Sequence, residues 1–160
     1  MLGEQIVTPT FTLRLRACQA WLWLLLCLGL AVAPFSAQTW ATLEVSVSGI
    51  EGAGGHVGIA VWDSGVGFPE DVEQALDSTY VAIENGTART DFERLAPGTY
   101  AVTVFHDEND NQRFDKNWIG IPREAWGVSN HVRPRLRAPR FDEARFDIAG
   151  GGHAVEIQIE

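Results

Sequence analysis

Cysteine is scarce in this chain of 160 residues, and both copies, Cys18 and Cys27, fall inside an N-terminal apolar segment. If that segment is removed, the remaining protein has no disulfide framework, no thiolate metal site and no cysteine nucleophile. Basic residues are also few, with 12 Lys and Arg against 21 Asp and Glu, for a net charge of −9. That balance excludes nucleic acid as the main partner, because phosphate binding needs a basic surface that the composition does not supply. Long hydrophobic runs are missing as well. The run at residues 21–33 has 13 residues, short of the ~20 that a membrane-spanning helix needs. The length allows one domain with a core of its own and leaves no room for a two-domain enzyme.

Two arginines, Arg14 and Arg16, precede the apolar run, and the small residue Ala37 follows it. This is the pattern of a signal peptide, read here as residues 1–37, with 38–160 as the mature domain in the periplasm or outside the cell. An uncleaved anchor is the alternative. Arg14-Leu15-Arg16 is not a twin-arginine pair, and Leu25-Leu26 before Cys27 lacks the small residue of a lipoprotein site. Removal of Arg14, Arg16 and Glu4 takes the net charge from −9 to −10. The domain that remains is acidic and is not expected to span a membrane.

Beyond residue 38 the dominant period is two. Leu43, Val45 and Val47 alternate with polar residues, as do Val155, Ile157 and Ile159, while Val57, Ile59 and Val61 and Tyr100, Val102 and Val104 keep the same phase. Such alternation predicts half-buried antiparallel strands. Turn clusters separate them, at residues 52–55, Asn85-Gly86, Pro97-Gly98 and 150–152. The expected fold is all-β, a single antiparallel β-sandwich of about seven strands of immunoglobulin-like or prealbumin-like type. One short helix is predicted over residues 69–76, which open with Pro69 and two acids. Pro97-Gly98 suits the centre of a type II turn leading into the Tyr100 strand.

The chemistry concentrates after that strand. From Asp107, oxygen-bearing side chains recur at Asp107, Asn109, Asn111 and Asp115, matching positions 1, 3, 5 and 9 of a calcium-binding loop. Position 6 is Gln112 instead of glycine and position 12 is Trp118 instead of a bidentate glutamate. A Ca2+ site therefore needs another ligand, for which Glu124, Asp110 or a backbone carbonyl is available. The competing reading is a metal-free loop in which Asp and Asn side chains cap their own backbone amides.

His106-Asp107, Asn109, Asn111, Asp115, Asn117, Gly120-Ile-Pro122, Glu124, Gly127 and Ser129-Asn130 together resemble the central signature of the bacterial domain-of-unknown-function family 2141, small exported proteins with one such domain. The similarity covers nearly all of the chain after the signal segment. The resemblance implies that the loop, more than the strands, is what defines the family, and it implies no activity, because none is assigned to the family. Gln112 departs from the glycine of the family pattern.

His106 continues the inward phase of its strand and is expected at the rim of the core, bonded to the loop. Gly120 and Pro122 are expected to set the backbone direction, and Gly127 to take a positive φ or a close approach. Three tryptophans, Trp62, Trp118 and Trp126, offer rings for stacking on sugars if exposed and for packing beside the loop if not. Arg133, Arg135, Arg137 and Arg140 form the one basic cluster, with the first three on one side of an extended strand. The leading expectation is a non-catalytic extracytoplasmic binding or structural module with a calcium-organised loop, and a cell-envelope glycan or protein as partner. The second is a small hydrolase or carbohydrate-active protein using His106 with nearby carboxylates, or Ser129 as a nucleophile.

Overall fold

A computed structural model describes residues 39–52 and 54–160; the segment read as an export signal, residues 1–37, lies outside them. Eight strands form two sheets. In chain order they are β1 (Ala41–Ser48), β2 (His56–Trp62), β3 (Asp77–Ala82), β4 (Ala88–Leu95), β5 (Gly98–Asp107), β6 (Trp126–Val128), β7 (Phe146–Ile148) and β8 (Gly151–Gln158). One sheet has the order β4-β1-β8 and the other β3-β2-β5-β6, while β7 pairs with β5 near its start. The all-β expectation holds.

The alternation in the sequence explains the core. Leu43, Val45 and Val47 of β1, Val57, Ile59 and Val61 of β2, and Tyr100, Val102 and Val104 of β5 all point into one apolar cluster, joined by Ile157 and Ile159. Each large aliphatic residue buried there contributes ~1.5–3 kcal/mol relative to exposure. The two sheets thus pack their apolar faces on each other. Tyr100 pins the edge of this core by donating its hydroxyl to the Ala96 carbonyl oxygen at 2.7 Å.

Part of the second face of the five-stranded sheet is also covered. Every residue of β2 from Val57 to Trp62 is buried, because Ala60, Trp62, Ala101 and Val128 meet Phe68, Phe141 and Ala144 on the outer side. The Trp62 and Phe68 rings make an edge contact at 5.4 Å, and Phe68 makes another with Phe141 at 5.9 Å.

Several local expectations are corrected. Strand β8 lies parallel to β1, with Ala41 opposite Gly151 and Ser48 opposite Gln158, so the sheets are not wholly antiparallel. Strand β4 escaped the period-two pattern because its buried residues Phe92 and Leu95 are three apart, where the register slips against β1 and Arg94 takes φ 62°. Residues 69–76 do not form a two-turn helix. They hold a 3-10 turn at Val72–Gln74, because the chain is already folding back on Gly67, whose carbonyl accepts the Glu70 and Asp71 amides, and β3 starts at Asp77. The short α-helix is instead α1 (Phe141–Ala144). Gly98 opens β5 without a positive φ, so Pro97-Gly98 is not a type II turn; the left-handed residue is Arg94.

Candidate functional site

Strand β5 ends on Asp107, which is fully buried. Its carboxylate is satisfied by the loop it starts: Oδ1 accepts the Asn111 amide at 3.1 Å and Oδ2 accepts the Gln112 amide at 2.7 Å. Asn109 Oδ1 also accepts the Asn111 amide, and Asn111 Oδ1 accepts the Arg113 amide at 2.8 Å. These are Asx turns, in which short side chains replace missing backbone partners. Asp115 closes the ring, taking Asn109 Nδ2 at 2.8 Å and Asn111 Nδ2 at 3.2 and 3.3 Å. Asp107, Asn109, Asn111 and Asp115 are therefore brought together. Asn117 repeats the device one turn later, accepting the Ile119 and Ile121 amides.

Glu124 joins the cluster from outside the loop. It is 7% exposed, its Oε2 accepts the Asp115 amide at 2.8 Å, and its Oε1 is buried with no hydrogen-bond partner among the described residues. Burial pushes its pKa up; the amide of Asp115 opposes this, the charges of Asp115 and Asp107 add to it, and the Glu108 amide, the smallest influence, opposes it as well. Nearby, burial first and then the charges of Asp107 and Glu124 raise the Tyr80 phenol. Among the described residues no group of three His, Cys, Asp or Glu side chains stands in metal-holding geometry. A cation here would have to recruit the Asn109 and Asn111 amide oxygens.

The loop is latched to the turn between β1 and β2, a contact that sequence spacing does not show. His106, 2% exposed, has Nε2 at 2.8 Å from the Gly54 carbonyl oxygen, so its hydrogen-bond partner is this turn, while its Nδ1 lies 4.0 Å from Glu108 Oε1 of the loop that follows. His56 Nδ1 lies 2.6 Å from Asp110 Oδ1. Gly55, at φ +79°, sits so close beneath Asp107 that a Cβ would lie 2.0 Å from its carbonyl oxygen. The cluster of glycines at 52–55 reads in sequence only as a turn; the β2–β5 register, which sets His56 opposite Asp107, is what gives it this task. Tyr80 adds a fourth tie by donating its hydroxyl to the Gln112 carbonyl at 2.9 Å.

The aromatic and basic residues disperse. Trp62 is buried with Nε1 donating to Thr103 Oγ1 at 2.9 Å, Trp118 is 94% exposed, and Trp126 is half-buried under the Arg133 guanidinium at 4.9 Å. The arginines do not share one side of a strand, because residues 132–139 form none. Pro134 and Pro139 deny that segment ladder amides. Arg133 donates to the Glu160 carbonyl at 2.6 Å, Arg137 makes a two-pronged pair with Glu143, and Arg135 has no ion pair among the described residues. Gly127 shows the close approach without the positive φ: a Cβ would meet Ile157 Cγ2 at 2.7 Å. Gly120 does take φ +82°.

Ser129 and His106 have separate partners. Ser129 Oγ donates to the Ala144 carbonyl at 2.7 Å and accepts the Val102 amide at 3.0 Å.

A cleft of about 550 Å3 opens on the outer face of the five-stranded sheet. Its floor is two cross-strand rows, Tyr80-Gly58-Phe105-Trp126 and Ser78-Ala60-Thr103-Val128, set side by side by the strand registers. The segment after the Asp/Asn loop forms one wall and residues 134–139 another.

These features define a small all-β domain organised around an Asx-rich loop at the end of a central strand. The chain belongs to the domain-of-unknown-function family 2141, described as an uncharacterized protein conserved in bacteria, whose sequence pattern it matches over residues 45–156. No curated relative and no solved structure matches it. Among the described residues no helix is long and apolar enough to cross a membrane.

Proposed function

We propose that the protein is a non-catalytic extracytoplasmic binding module on a β-sandwich scaffold, with its signature loop organised by one calcium ion. The observation that carries the calcium reading is Glu124 Oε1, a buried carboxylate oxygen without a partner beside two further carboxylates. Leaving such an atom unpaired costs free energy that a cation would recover. Calcium accepts six to eight oxygens at ~2.3–2.6 Å in flexible geometry. Glu124 would take the place of the missing acid at position 12. Asn109 and Asn111 now bridge to Asp115 through their Nδ2 groups, and rotation of these amides would turn oxygens inward.

The separate partners of His106 and Ser129 support the non-catalytic reading. Export is supported by the pattern of charge and hydrophobicity in residues 1–37. Trp118, the most exposed ring among the described residues, is the natural first contact for a glycan or protein of the cell envelope.

The test is thermal unfolding of protein expressed from the full-length chain, in calcium and in chelator. Calcium at ten times its dissociation constant should add about 1.4 kcal/mol by mass action. An unchanged midpoint at millimolar calcium rejects the site.

A further inference from the structure

We propose that the cleft on the five-stranded sheet binds a free single-chain amphiphile: an apolar chain carrying one terminal anionic group. This deepens the binding-module reading and does not depend on the calcium site.

The shape comes from the strand register. Ala60 keeps its floor row low between Ser78 and Thr103, and in the other row the absent Gly58 side chain lets the Phe105 ring lie flat on the sheet, where a Cβ would be 2.4 Å from it. Tyr80 and Trp126 stand at the two ends of that row, on either side of Phe105. A volume of about 550 Å3 is the size of a site for a small organic molecule, with mostly apolar walls and a few polar groups to orient the guest.

The apolar surface does not stop at the mouth. Ile119 and Ile121 of one wall and Leu136 of the other are exposed at 56%, 54% and 99%. Large aliphatic side chains at the rim on both sides suit a flexible chain that enters from one end and continues outward, more than a compact polar ligand.

Charge selects the head group. Four charged side chains line the cleft: Glu70, Lys116, Arg135 and Arg137. Lys116 Nζ is paired with Glu70 at 2.5 Å and Arg137 with Glu143, which leaves Arg135, beside Leu136 on the rim, as the cation without an ion pair among the described residues. On a chain of net charge −9, a guanidinium at an apolar mouth is a specific place for a carboxylate or phosphate, which it grips with parallel N–H donors.

The experiment is a titration of the protein, expressed from the full-length chain, with laurate below its micellar concentration, followed by tryptophan fluorescence and by calorimetry. Chelator is present, so a failed calcium site leaves the result readable, and a failed laurate titration leaves the calcium midpoint readable. One saturable site per chain is expected. Dodecanol should bind about tenfold more weakly, and dodecyltrimethylammonium more weakly still, as the loss of one charge-assisted contact dictates. Arg135→Gln should lower laurate affinity about tenfold and leave dodecanol unchanged. Leu136→Asp, at a fully exposed position that the fold does not use, should also weaken laurate with an unchanged thermal midpoint. No saturable laurate binding overturns the proposal, as does equal affinity for the cationic and anionic amphiphiles. Binding to phosphatidylglycerol vesicles without binding to free laurate also overturns it, in favour of membrane docking.

Discussion

Glu124 accepts the amide of Asp115 through one carboxylate oxygen at 2.8 Å and buries the other with no donor in hydrogen-bonding geometry among the described residues. The side chain is thus half a structural clasp and half an unspent charge.

Replacing Glu124 with Gln separates the two halves. The variant keeps an acceptor for the Asp115 amide and removes the charge whose burial raises the pKa. Because ionisation of Glu124 is disfavoured in the folded state, the stability linked to it is complete below the ordinary value of 4.5 and is lost as pH rises through the raised folded value. In chelator, Glu124→Gln should therefore match or exceed the wild type at neutral pH and flatten the decline above pH 4.5. In calcium the order should reverse. Chemical denaturation across pH checks both, and a variant destabilised by more than about 1 kcal/mol in chelator would contradict the account.

Glu143 has the opposite sign. Its side-chain bond to Arg137, aided by the Arg140 amide, lowers its pKa from 4.5 to about 2. The stability it brings is present above 4.5 and disappears as pH falls toward 2. Arg137→Gln should return the Glu143 titration, followed by carboxyl NMR shifts, most of the way to its ordinary value. It should also reduce the slope of stability over that acid range.

Gln112 occupies a left-handed conformation, φ 59°, where its amide reaches Asp107 and its carbonyl receives Tyr80. Both contacts are made by backbone atoms and survive truncation. Gln112→Gly should stabilise the protein by about 1 kcal/mol, since a side chain at positive φ is strained. Gln112→Ala should not, and equal midpoints for the two variants would refute the explanation.

Ser129→Ala should cost ~2–4 kcal/mol in denaturant unfolding, because a buried amide at Val102 and a buried carbonyl at Ala144 each lose a partner. A loss below about 0.5 kcal/mol would show that water replaces the hydroxyl.

What could be read from the sequence was whatever repeats locally. Leu43, Val45, Val47 and their counterparts in β2, β5 and β8 announce their buried face by alternation alone. The Asp and Asn residues of the loop announce themselves by spacing, and Glu124 by its acid type near the motif. Residues whose role depends on a distant partner gave no such signal. Gly54 and Gly55 matter because β2 and β5 pair in one register, and β4 hides its inward face behind a register slip. The arginines at 133 and 137 read in the sequence as a free basic surface because Glu160 and Glu143, which take them, lie elsewhere in the chain.

The parallel pairing of β1 with β8 has a consequence for the order of events during synthesis. Ala41 finds its partner in Gly151, so the central strand of the three-stranded sheet waits with one edge unsatisfied until more than a hundred further residues exist. An open edge of that kind invites pairing with another chain. A polypeptide whose sheet is completed only by its last strand stays open along that edge for most of its synthesis.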